Sequence, residues 1–203
     1  MNKKVLLASV LDESGSMSGI TQQTIEGYNA FLRNQKWKEI MKVTTVMFNS
    51  EVRTIHRDAS VENALIDRLA YHPDGSTALY DATGKTLLEL MEKVRHSEQS
   101  YLVYVVIVTD GEENASKFFT LPMIRNLIQQ SQKEFQFEFI FLGANFNVQE
   151  VGKELNIPDQ NVKEFQANEA GVKKMFNELT QSINFATDLK LNPFRKRRGK
   201  SSK

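Results

Sequence analysis

Residues 101–109 read YLVYVVIVT, nine positions drawn entirely from apolar, aromatic and β-branched side chains. A strand with one wet face alternates polar and apolar residues. A run without that alternation suits a strand covered on both faces, at the centre of a sheet with helices above and below. Residues 3–11, with the run VLLASVL, predict a second strand of the same kind. Around these two, strand and helix patterns take turns. TIEGYNAFLRNQKWKEI is predicted as a helix, with Ile25, Tyr28, Phe31 and Leu32 on one face, and MKVTTVMFNS and EVRTIHRDA as two strands joined by a tight Asn-Ser turn. A short helix near SVENALIDRLA precedes the loop YHPDGST, and ALYDATGKTLLELMEKVR returns to helical spacing. FFTLPMIRNLIQQSQ (helix), FQFEFIFLGAN (strand), VQEVGKELNI (helix), NVKEFQ (short strand) and a closing helix from NEAGVKKMF complete the order. This succession predicts an α/β fold: an open, doubly wound, mostly parallel sheet with helices on both faces and one antiparallel edge strand. Phe137, Phe139 and Phe141 alternate as strand core does.

Both central strands run from apolar residues straight into an aspartate, in SVLDESG and VIVTDGE. In open α/β sheets, ligands bind at the carboxyl ends of strands where the strand order reverses. If these strands are neighbours there, Asp12 and Asp110 face each other, and two like charges so close raise one pKa unless a cation lies between them. Asp12, Ser14 and Ser16 leave the first strand as a turn whose alternate side chains point at one centre, with Gly15 and Gly19 relaxing the backbone. Every candidate ligand is an oxygen, which selects Mg²⁺, Mn²⁺ or Ca²⁺ over Zn²⁺ or Cu²⁺.

These residues carry a resemblance. DESGS at 12–16, Thr77 in DGSTALYDA and Asp110 in IVTDGEEN together resemble the D-x-S-x-S, threonine and aspartate pattern of a von Willebrand factor type A domain with a complete metal-ion-dependent adhesion site. The resemblance extends from about residue 3 to about 185. It implies the fold of integrin I domains and a metal set of Asp12, Ser14, Ser16, Thr77 and Asp110. Ser14 and Ser16 would bind through their hydroxyls, Thr77 directly or through water, and the two aspartates directly or from behind a water. It further implies recognition of a partner protein's Asp or Glu carboxylate by the cation, inside an assembly of the kind that includes AAA-type ATPases.

Simpler roles compete at single positions. DESGSMSG also reads as a capping turn in which Ser18 or Thr21 caps the next helix. Ser76 reads as a turn hydroxyl, and Glu112 and Glu113 as acids favoured at a helix start. Asp81 either orients the Thr77 loop or compensates a helix dipole. His72 has the one imidazole-bearing loop that approaches the proposed metal, and reads first as a solvated residue. His56 and His96 lie apart from it.

Catalytic patterns are poorly matched. A haloacid-dehalogenase-type phosphatase needs an acid-base aspartate where Ser14 stands. GSMSG has Met17 where a hydrolase elbow needs serine, and ATGKT lacks the upstream glycine of a phosphate loop. The expected function is therefore a binding module and not an enzyme, with a Mg²⁺-dependent hydrolase as a lesser alternative.

The charge is unevenly spread. Seven Lys or Arg residues and no acid lie from Lys190 onward, so a chain of net charge +1 has a body at −6. The expected organisation is a domain over 1–188 and a basic, disordered tail over 189–203, whose FRKRRGK offers a second reading as a contact for nucleic acid or anionic membrane. The chain has no cysteine. Its lysine-led N-terminal apolar run is short and meets acids at once, which reads as a strand and not a secretion signal. Both features lead to the expectation of a cytoplasmic protein.

Overall fold

The structure, a computed structural model, describes residues 3–192. Six strands, β1 (Lys4–Asp12), β2 (Met41–Phe48), β3 (Val52–Ala59), β4 (Tyr101–Thr109), β5 (Glu138–Gly143) and β6 (Val162–Glu164), form one sheet in the order β3-β2-β1-β4-β5-β6. β1 runs parallel to both β2 and β4, and only the β2–β3 pairing is antiparallel, which puts the single reversed strand at an edge as expected. The helices are α1 (Thr21–Arg33), α2 (Leu79–Arg95), α3 (Leu121–Phe135), α4 (Val148–Glu154) and α5 (Glu169–Leu191).

The central strands lack alternation because both of their faces are packed. Leu7 and Leu11 of β1 and Tyr104, Val106 and Val108 of β4 join Tyr28 and Phe31 of α1 and Phe176 and Ile183 of α5 in one core. The intervening residues Leu6, Ala8, Val10, Val103, Val105 and Ile107 join α2, α3 and α4 in a second core. Phe137, Phe139 and Phe141 belong to that second core, as their spacing suggests.

Among the boundaries that differ from the sequence reading, three are instructive. The first helix stops at Arg33 rather than continuing through Ile40. There α5 captures the chain: Asn184 Oδ1 accepts from Lys36 N at 2.8 Å and Asp188 Oδ1 from the Trp37 indole at 3.0 Å. The expected short helix near SVENALIDRLA reduces to one 3₁₀ turn, Val61–Ala64, because Asn29 of α1 holds both Ile66 N and Ile66 O through its side chain. At the far end, α5 continues to Leu191, past the expected boundary at 188. Lys190 is part of the folded body, paired with Glu138 at 2.5 Å and lying over the Tyr104 ring. Residues 193–203, which hold the rest of the basic segment and its nucleic-acid or membrane reading, lie outside the described residues.

The α1–α5 contact depends on Gly27. A Cβ placed there would sit 2.3 Å from Phe176 Cδ2, and Phe176 is itself buried. Gly27→Ala should therefore destabilise the fold by about 1–3 kcal/mol through overpacking, despite the roughly 1 kcal/mol that alanine gains in helix propensity. Gly19→Ala, where nothing lies within 4 Å, is the neutral control. Urea unfolding midpoints of the two variants test this; equal midpoints would show that the two helices separate at no cost.

Candidate functional site at the carboxyl ends of β1 and β4

From β1 the chain crosses through α1 to β2 on one side, and from β4 through α3 to β5 on the other, so the loops diverge and leave a crevice between the two strand ends. Asp12 ends β1, and Asp110 follows directly on β4. The parallel register that pairs Leu11 with Val108 sets Thr109 beside Asp12. Asp12 is fully buried. Its Oδ2 accepts from Thr109 Oγ1 at 2.5 Å, its Oδ1 from Ser14 N at 2.7 Å, and its carbonyl from the buried Tyr71 hydroxyl at 2.7 Å.

A chain of oxygens runs outward from this point. Ser14 Oγ lies 3.0 Å from Ser16 Oγ, and Ser16 Oγ donates to Asp110 Oδ1 at 2.5 Å. Ser14 and Asp110 are buried while Ser16 is exposed at the rim. Thr77 comes in from the other side. A Cβ on Gly111 would lie 3.3 Å from Thr77 Oγ1 and 3.8 Å from Ser16 Oγ, so both hydroxyls crowd the same glycine. The structure thus brings Asp12, Ser14, Ser16, Thr77 and Asp110 to one place.

The loops around them are latched to one another. Gly15 N donates to Gly75 O at 3.0 Å and Asp74 N to Glu13 O at 2.9 Å. Gly75 has φ +71°, a conformation that suits glycine, and a Cβ there would meet Ser50 Oγ at 2.8 Å. Thr77 N donates to Asn114 Oδ1 at 2.8 Å, and Thr77 O accepts from Asn114 N and Ala115 N.

Several supporting residues were assigned other roles by the sequence, or none. Glu13 is buried and forms a two-pronged pair with Arg53 of β3, from Nε at 3.0 Å and Nη2 at 2.7 and 2.8 Å. Strand alternation turns Glu13 away from Asp12, but a partner 40 positions downstream leaves no local signal. Glu113 accepts from Tyr80 N in the first turn of α2, as well as from Ala115 N and Ser116 N, so it caps the helix before it in sequence, not the next one. Asp81 neither orients Thr77 nor merely offsets a dipole: its carboxylate accepts from Lys117, Phe118 and Phe119 N at 2.8, 2.9 and 2.8 Å. Ser76 serves the turn through its backbone, donating to Ser50 Oγ, while Glu112 and His72 are exposed.

Burial dominates the electrostatics. It pushes the Asp12 carboxyl up from 3.8 to about 6, opposed by the hydrogen bonds from Thr109 and Ser14 and reinforced by the nearby Asp110 charge. Asp110 is also raised by burial, with the Ser16 hydroxyl opposing. Tyr71 is held well above its usual value, first by burial and then by Asp12.

This arrangement corrects the expected metal centre. Among the described residues, no group of three or more His, Cys, Asp or Glu side chains comes together to hold a metal ion. The cluster offers two carboxylates. Both Asp12 oxygens are occupied by the protein, and of the hydroxyls expected as ligands those of Ser14 and Ser16 bond to each other and, through Ser16, to Asp110. The oxygen pattern of the adhesion motif is present, but it closes on itself as a hydrogen-bonded network. The Mg²⁺, Mn²⁺ or Ca²⁺ cofactor, the cation-mediated grip on a partner carboxylate and the Mg²⁺-dependent hydrolase alternative all fall with it.

The family model for the von Willebrand factor type A domain matches residues 7–184. The chain belongs to this family. No curated protein sequence matches it. Among solved structures, the D319A mutant of the PilB minor pilin from Streptococcus sanguinis superposes with a TM-score of 0.66 at 13% identity, covering 93% of this chain and 63% of the pilin. Proximal thread matrix protein 1 from the mussel byssus, with a zinc-occupied MIDAS motif, gives 0.67 at 15%, covering 90% of this chain and 46% of that one. Manganese-loaded TRAP protein of Plasmodium vivax gives 0.63 at 16%, covering 85% and 72%. At these identities the likeness is one of fold. The chain spans less than two thirds of the pilin and of the byssal protein. The expected cytoplasmic location is also withdrawn, since von Willebrand factor type A folds of this shape include a pilin and a byssal thread protein. A chain without cysteine needs no reducing compartment, so that feature does not assign one.

A carboxyl whose folded pKa is raised stabilises the fold fully below its unfolded value, and that contribution is lost as pH rises through the folded value. For Asp12 the window runs from 3.8 to about 6. Asp12→Asn keeps an acceptor for Ser14 N and turns an amide toward Thr109 Oγ1. Wild type should lose up to roughly 3 kcal/mol across the window relative to this variant, which should be the more stable of the two at neutral pH. Urea unfolding at stepped pH measures it; parallel pH profiles for the two proteins would mean that Asp12 is not held against burial.

Proposed function

We propose that this von Willebrand factor type A domain is a protein-interaction module, without catalysis, that binds through the crevice at the carboxyl ends of β1 and β4. The carrying observation is the outward path from buried Asp12 through Ser14 to exposed Ser16, which bonds the buried Asp110, framed by loops bonded to each other. A rim held in this way presents its groups with little ordering cost on binding. The pilin and the byssal thread protein of similar fold support an interaction role by analogy.

The chemistry of the crevice favours one kind of complement. Asp12 and Asp110 repel a partner carboxylate, and the chain through Asn192 has net charge −5. The complementary partner presents donors: a lysine, an arginine or free backbone amides reaching Asp110 and the Ser16 hydroxyl. The expected partner is thus a polypeptide with a basic or amide-rich contact, not the acidic one that a metal would select.

Selection from a random displayed-peptide library against the full chain tests this. Enriched peptides should carry Lys or Arg, bind equally in EDTA and in Mg²⁺, and lose at least about tenfold in affinity, some 1.4 kcal/mol, on Ser16→Arg at the exposed rim. Acidic peptides whose binding EDTA abolishes would overturn the reading. So would binders indifferent to Ser16→Arg.

A further inference from the structure

The chain contains two Asp-Gly pairs, Asp74–Gly75 and Asp110–Gly111, and both border the crevice. Such a pair has a reaction of its own. The glycine nitrogen attacks the aspartyl side-chain carbonyl carbon, a C–N bond forms, and the protonated carboxyl loses its hydroxyl with the amide hydrogen as water. The product is a five-membered succinimide. Water then opens the ring, and opening at the backbone carbonyl leaves the main chain running through the aspartyl side chain as isoaspartate. One water leaves and one enters, so the change is an isomerisation with no oxidant, reductant or other reagent.

The reaction requires the carboxyl group beside the nitrogen, in a geometry already close to attack. Asp74 meets that requirement. Gly75 N donates to Asp74 Oδ1 at 2.8 Å, both residues are exposed to water, and Gly75 has no Cβ to crowd the approach. Asp110 does not meet it. Gly111 N donates to Thr109 Oγ1 at 3.2 Å, Asp110 Oδ1 is engaged by Ser16, and Asp110 is only 4% exposed. The two pairs share a sequence and differ in where the carboxyl points.

We propose that Asp74 is a site of spontaneous isoaspartate formation and that isomerisation there unlatches the loop at residues 72–77 from the crevice. The two latches flank the reacting bond: Asp74 N to Glu13 O on one side, and Gly15 N to Gly75 O on the other. Isoaspartate adds a main-chain carbon between them, so a loop that keeps the first contact moves out of register for the second.

The full chain, aged at physiological temperature and mildly acidic pH, is labelled with a protein-isoaspartate methyltransferase and mapped by peptide. Amide hydrogen exchange is followed at Gly15 in the same samples. Label should accumulate in the peptide carrying Asp74 and not in the one carrying Asp110. It should be lost in Asp74→Glu, where closure needs a less favourable six-membered ring. Gly15 should exchange faster in the labelled fraction while the urea midpoint stays within error. Absence of label, equal label in both peptides, or label unchanged in Asp74→Glu overturns the site. Unchanged Gly15 exchange in labelled protein overturns the unlatching. These readouts need no binding partner, so their failure is separate from failure of the interaction reading.

Discussion

A carboxyl group buried at the end of a central strand costs several kcal/mol unless the protein supplies its hydrogen-bond donors, and the carboxyl end of this sheet is arranged around that demand from Asp12. The carboxyl's donors come from the next turn of the same chain (Ser14 N) and the neighbouring strand (Thr109), and a donor from a distant loop, the Tyr71 hydroxyl, holds the Asp12 backbone carbonyl. Each donor has its own position fixed in turn. Thr109 depends on the parallel register of β1 and β4, and Tyr71 depends on the turn in which Asp67 accepts from Leu69 and Ala70. The crevice is therefore a consequence of strand order before it is a property of its loops.

Other acids around the crevice extend the same logic. Glu13 ties the end of β1 across β2 to Arg53 on the edge strand, and Arg53 also donates to Ala70 O, so one guanidinium joins strand, edge and loop. Asp81 and Glu113 gather the amides of residues 115–119 onto the start of α2. A buried ion pair adds little net stability but is costly to break on one side, so it serves better to fix an arrangement than to strengthen the fold. The irregular segments around the crevice owe their order to these acids together with backbone bonds between the loops, since regular backbone ladders end at the strands.

The strands were plain in the sequence because burial on both faces leaves no polar positions, and the edge strand because MKVTTVMFNSEVRTIHRDA holds a turn between two β-rich runs. The meeting of Asp12, Ser14, Ser16, Thr77 and Asp110 was also legible, since all five stand at strand or loop ends that one sheet topology brings together. What they do there was not. A sequence shows which residues carry oxygens but not which neighbours occupy them, and Thr109, the residue that most directly satisfies Asp12, reads simply as the last residue of an apolar strand. For the same reason Asp81, Glu113 and Arg53 were misjudged or passed over: these partners lie 33 to 40 positions away, beyond any local pattern. The end of α1 was missed because contacts from α5, late in the chain, decide it.

The last turn of α5 sits beside the start of β5 through Lys190 and Glu138, and β1 begins at that same edge, whereas the crevice opens at the opposite one. The first and last described residues thus share one pole of the molecule. If a ligand at the crevice and the chain at this pole were pulled apart, tension would run lengthwise along β1. Its neighbours β2 and β4 would resist by shearing two full ladders at once, not by unzipping one bond after another.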